Sequence, residues 1–111
     1  MNNKPKIEDF FSHIVKAPKE KKIEIWNNIE KAFWDSPNNP EEILEQFLYG
    51  DEEQKRYIMV KFFTILDWRD ILDIIPYDIA IRYVKDDKTI DMLFPDAIQE
   101  VYRNMQRYLR K

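Results

Sequence analysis

Asp67, Asp70 and Asp73 step by three along the chain, and Asp78, Asp86, Asp87 and Asp91 follow them closely. Carboxylates at that spacing can share one helical face. Together they could hold a hard divalent cation, or divide the roles of general acid and base. A carboxylate-based metal enzyme over Asp67–Asp91 is therefore one reading of this stretch. Each residue also has a simpler use. Asp67 suits a helix N-cap, and Asp70 would sit in the first turn, where negative charge complements the helix dipole. No lysine–aspartate constellation or aromatic sugar platform accompanies them at a recognisable spacing. The expectation is an acidic face that is solvated or meets a partner.

The remaining reactive residue types are sparse. His13 stands alone, and with no cysteine a zinc site would have only carboxylates for company. It is expected to pack at the boundary of the first helix. Ser36 lies in a Pro/Asn loop with no base nearby in sequence, as a nucleophile would need, so it is read as a turn residue. Arg103, Arg107 and Arg110 step by four and three on the last helix. Cations there complement a helix C-terminus, and they could also form a short basic stripe for an acidic partner, a second copy's Asp67–Asp73 face included. Trp34, off the apolar face at the end of the second helix, is a candidate interface residue, as are Tyr49, Tyr57 and Phe63.

The composition excludes more than it includes. One glycine (Gly50) among 111 residues rules out a phosphate-cradling loop, a dinucleotide fingerprint and a nucleophile elbow, each of which needs several. The lack of cysteine removes thiol catalysis and disulfide scaffolds. Net charge is −3, unevenly spread: +2 from Met1 to Trp34, −9 from Asp35 to Glu100 and +4 beyond. That balance argues against nucleic-acid binding. No apolar run approaches a membrane span, and no secretory leader follows the N-terminal lysines, so a cytoplasmic location is expected. Residue usage rich in Ile, Lys and Asn, with four alanines, is that expected of an AT-rich bacterial or phage genome.

Helical periodicity organises nearly the whole chain. Ile7, Phe10, Phe11, Ile14 and Val15 share one face of a first helix, and Pro18 opens a second with Ile25, Trp26, Ile29, Ala32 and Phe33 on its face. Asn39 caps a third helix opened by Pro40, with core positions Ile43, Leu44, Phe47 and Leu48. Gly50 follows where a helix C′ residue would take positive φ. Asp51 caps a fourth helix, whose stripe is Ile58, Met59, Phe62, Ile65 and Leu66. With Tyr57, Val60 and Phe63 it is apolar nearly all round, as expected of a buried spine.

A short helix then runs from Asp67 to Ile75, ended by Pro76. Tyr77–Val84 alternates like a strand but has no strand to pair with, so helix is expected. Ile90, Leu93 and Phe94 form a short face. Ile98, Val101, Tyr102, Met105, Tyr108 and Leu109 mark a final helix.

The apolar positions of the first two helices recur in the third and fourth at one offset of 33 residues, Ile25 onto Ile58 and Ile14 onto Phe47 among them. A shared offset across two helices and their turn suggests stacked αα-hairpins. The stretch from Glu41 to Leu66, with Asp51-Glu52-Glu53 at the turn, Arg56 after it and an apolar second helix, resembles a HEAT repeat. The expectation is a single all-α domain over residues 1–111, with six to eight helices in HEAT-like hairpins or an irregular bundle. Its expected role is non-enzymatic, without cofactor: a bacterial or phage module that binds a protein, a second copy of itself being one candidate, and neither nucleic acid nor membrane. An acidic immunity or antitoxin-type inhibitor is the alternative, since an acidic face can cover a basic active site. Trp34, Tyr57, Asp67, Asp70, Asp73, Arg103, Arg107 and Arg110 are the candidate partner-binding residues.

Overall fold

In the computed structural model, which describes residues 7–110, three helices start where a short polar side chain accepts from an otherwise unpaired amide. Asn39 Oδ1 accepts from the Glu42 amide at 2.9 Å while Glu42 Oε1 accepts from the Asn39 amide at 3.2 Å, a complete capping box. Asp51 and Gln54 repeat the arrangement at 2.9 and 3.2 Å. Asp67 Oδ1 accepts from the Asp70 amide at 2.9 Å. Pro40 stands at the first helical position, where a missing N–H costs nothing.

These caps and breaks delimit α1 (Ile7–Phe10), α2 (Ser12–Val15), α3 (Lys19–Ala32), α4 (Pro40–Tyr49), α5 (Glu52–Ile65), α6 (Trp68–Ile74), α7 (Tyr77–Val84), α8 (Asp87–Asp91) and α9 (Asp96–Leu109). The chain folds as one all-α domain, with no strand among the described residues. Tyr77–Val84 is helical, as expected. The segments α1 and α2 are halves of the one helix expected from Ile7 to Val15. The break comes at Phe11, whose φ of −106° and ψ of 35° leave the helical region. It turns the Phe11 ring fully into the core, edge-on to Phe10 at 4.8 Å, and leaves Val15 substantially exposed.

The spine is α5, which packs against α3, α4, α6, α7 and α8. Ile58, Met59, Phe62 and Phe63 are buried on it, covering more than one face. Phe62 meets Phe33 edge-on at 5.6 Å, and Phe63 meets Tyr102 at 4.5 Å. On the N-terminal side α1 packs on α4 and α3 on α5, so two helix pairs lie side by side. The bounds of α3 and α5 differ by 33 residues at both ends, and α1 and α4 begin 33 apart.

Three local expectations are corrected. Gly50 has φ −75° and ψ 168°, extended backbone open to any residue, and not the positive φ expected of it. Its lack of a side chain matters for space: a Cβ would fall against the Gln46 carbonyl oxygen and 2.9 Å from Gln54 Cβ. Phe94, expected on a core face with Ile90 and Leu93, is exposed. It precedes Pro95, which disfavours the helical conformation and carries the ring off the face of α8. On α9, Tyr102 is buried against Phe63 and Trp68, while Val101 and Tyr108, on other faces of the helix, stand exposed.

Candidate functional site

Helix α3 has two working faces. Ile25, Ile29 and Ala32 point into the core. Ile23, Trp26, Asn27 and Glu30, at i, i+3, i+4 and i+7, make a second face. Together with Ile14 and Val15 of α2 and Glu41 and Leu44 of α4, that face lines a groove of about 540 Å³. The volume falls in the range of roughly 300–1,000 Å³ usual for ligand pockets.

The groove has an apolar floor and open lips. Ile14 and Leu44 are buried at its base, Trp26 is half-buried, and Val15 and Ile23 are 44% and 51% exposed. An exposed Ile beside a half-buried Trp in a concave setting is apolar surface left without a partner. The rim is charged. Glu30 and Glu41 are exposed carboxylates that enter no ion pair among the described residues, and Lys22 is an equally unpaired ammonium. Glu41 lies in the first turn of α4, where its charge also suits the helix dipole.

The candidates expected from sequence are scattered elsewhere. Asp67 caps α6. Asp73 accepts from Lys21 Nζ at 2.7 Å, and Glu24 lies 3.6 Å from the same nitrogen. The half-buried Asp70 joins them: one oxygen from each of Glu24, Asp70 and Asp73 lies within 4.8 Å of the others. The Lys21 ammonium supplies the positive charge such a cluster calls for. Burial pushes the Asp70 carboxyl above the ordinary range, and the neighbouring charges of Asp67, Asp73 and Glu24 add to it. Asp67 thus serves as a cap and Asp73 in an interhelical ion pair, with Asp70 beside them.

Arg103 and Arg110 are likewise engaged within the fold. Arg103 Nη2 donates to Asp91 at 2.5 Å, and Arg110 Nη2 donates to the Lys85 carbonyl at 3.1 Å. Arg107 Nη1 donates to Asn104 Oδ1, one turn back, at 3.0 Å. The expected stripe is mostly a clasp holding α9 against α8 and the end of α7. Phe63 is buried. Tyr57 is exposed, with its ring 6.4 Å from Phe33 and 5.9 Å from Lys61 Nζ. Trp34 is 76% exposed at the end of α3. His13 Nε2 donates to the Ile74 carbonyl at 2.9 Å, fastening α2 to the C-terminal end of α6.

Sequence reasoning passed over the groove, but it carried a signal. Ile23 is a large apolar residue off the core face of an otherwise well-segregated helix. Its neighbours across the groove come from α2 and α4. Among the described residues no helix is long and apolar enough to cross a membrane. Comparison with protein families, curated proteins and solved structures finds no match to this chain.

Proposed function

We propose that the chain is a cytoplasmic, non-enzymatic protein-binding module of bacterial or phage origin, and that the groove between α2, α3 and α4 is where it binds. The observation that carries this reading is the apolar floor of Ile14, Trp26 and Leu44, opening between half-exposed Val15 and Ile23. Burying the exposed half of two such side chains is worth about 1 kcal/mol each, a contribution to anchoring a partner segment. The paired hairpins, with α3 and α5 in the same 33-residue register, support a HEAT-like scaffold that presents this face. What weighs against the acidic-inhibitor alternative is that Asp67 and Asp73 are already committed to a cap and to Lys21.

A two-hybrid screen of bacterial genomic fragments with this chain as bait tests the reading. Partners should survive Val101→Lys on the far helix and be lost with Ile23→Lys. Partners indifferent to Ile23→Lys but lost with Val101→Lys would move the binding face to α9 and contradict it.

A further inference from the structure

The groove is electrically polarised along its length. Lys22 and Ile23 lie in the N-terminal half of α3, and Glu30 lies about two turns further on, about 10–12 Å away along the helix axis. The chain then leaves α3, turns through residues 33–39 and enters α4, so Glu41 returns to the same end of the groove as Glu30. One end therefore carries two carboxylates that no cation among the described residues neutralises, and the other carries one lysine. Between them lie Trp26, Leu44 and Ile14.

Resting on the docking role proposed above, we infer that the occupant is a short amphipathic segment of a partner protein, with bulky apolar anchors flanked at one end by lysine or arginine. The apolar floor sets the anchors, as in other helix-in-groove recognition, and the Glu30–Glu41 end sets the cation and with it the direction in which the segment lies. An acidic segment would bring like charge against those carboxylates, so the rim also rejects wrong partners. Both walls end in half-exposed side chains, which suits a segment laid along the surface better than a small molecule enclosed on most sides.

The test is a selection of random 12-residue displayed peptides on the folded chain. Enriched peptides should hold bulky apolar residues and an excess of Lys and Arg over Asp and Glu. Their affinity should fall at least tenfold with Ile23→Lys, and equally with Val15→Lys as an independent probe of the lip. It should fall about fivefold with the double variant Glu30→Gln/Glu41→Gln, whose melting temperature drops only by the small dipole contribution of Glu41. Peptides that need Ile23 but carry no basic excess, and ignore Glu30→Gln/Glu41→Gln, would overturn the charge inference and leave the groove standing. Peptides that ignore both lip variants, or no enrichment at all, would overturn the docking role itself. A dimer in sedimentation that Ile23→Lys splits would make a second copy the occupant and overturn the inference. So would binding that emerges only when residues 1–6 are removed, which would make the chain its own ligand.

Discussion

Lys21 on α3 and Asp73 on α6 are 52 residues apart in sequence, and their charged atoms meet at 2.7 Å. This contact ties the N-terminal helix pair to the middle of the chain and places an ammonium between Asp73 and Glu24, beside Asp70. The hydrogen bond to Asp73 holds the Lys21 ammonium above its usual pKa. Asp70 shares the cluster without sharing the cation. Its carboxyl is raised by burial first and by the neighbouring carboxylates second, so its charged form is disfavoured in the fold relative to the unfolded chain. The penalty is fully present above the folded pKa and vanishes below the unfolded value near 3.9. Asp70→Asn should therefore raise the melting temperature at pH 7 and leave it unchanged at pH 3. A loss of stability at pH 7, read by thermal denaturation, would contradict the assignment.

Asp86 behaves in the opposite sense. Burial pushes its carboxyl up, but hydrogen bonds from Thr89 Oγ1 at 2.6 Å and Arg56 Nε at 2.8 Å outweigh it and hold the carboxyl below the ordinary range. A lowered folded pKa gives stability that is present above the unfolded value and lost as pH falls through the folded one. Acid titration below about pH 4 should thus weaken the wild type more steeply than Asp86→Asn. Arg56→Ala, which removes a charged donor joining α5 to the turn before α8, should cost about 1.5 kcal/mol at pH 7 by urea denaturation.

Tyr102 links the last helix to the spine through its contact with Phe63. Burial pushes its phenol up to about 12, with the Asp67 carboxylate adding to the shift. A raised tyrosine pKa means that the stabilisation is complete below about pH 10 and drains away as pH climbs towards 12. Ultraviolet titration of the six tyrosines should show a last ionisation near that value, which Tyr102→Phe removes. Tyr102→Ala should cost about 3–5 kcal/mol, as large-to-small changes of buried aromatics do.

Gly50 offers a test of space against conformation. Its backbone is one that alanine adopts freely, so any cost of Gly50→Ala must come from the new methyl meeting the Gln46 carbonyl and the Gln54 side chain. A loss of about 1–3 kcal/mol is expected, part of it recovered in the double variant with Gln54→Ala. An unchanged stability would show that the α4–α5 turn yields at no cost.

What could be read from the sequence was local. Asn39, Asp51 and Asp67 declared themselves as caps because the competing uses of a short polar side chain are few at a helix start. The spine was visible because α5 is apolar on several faces, and only a helix enclosed by others tolerates that. The break at Phe11 was hidden, since two adjacent phenylalanines fit one helical face as well as they fit a bend. The fates of Arg103 and Arg110 depend on where α8 lies against α9, and no spacing encodes that distance. The groove was hidden for the same reason. Ile23 stands off the core face of α3, but its neighbour Val15 looked like an ordinary core position until the fold set it at an edge, above the buried Leu44.

The docking role of the groove is tested most directly by methyl and indole NMR during titration with a selected basic, apolar peptide. The Ile14, Val15, Ile23 and Leu44 methyls and the Trp26 indole should shift together and saturate with a single affinity. Shifts confined to Val101 and Leu109 on α9, or to the Trp34 indole, would show that the binding face lies elsewhere.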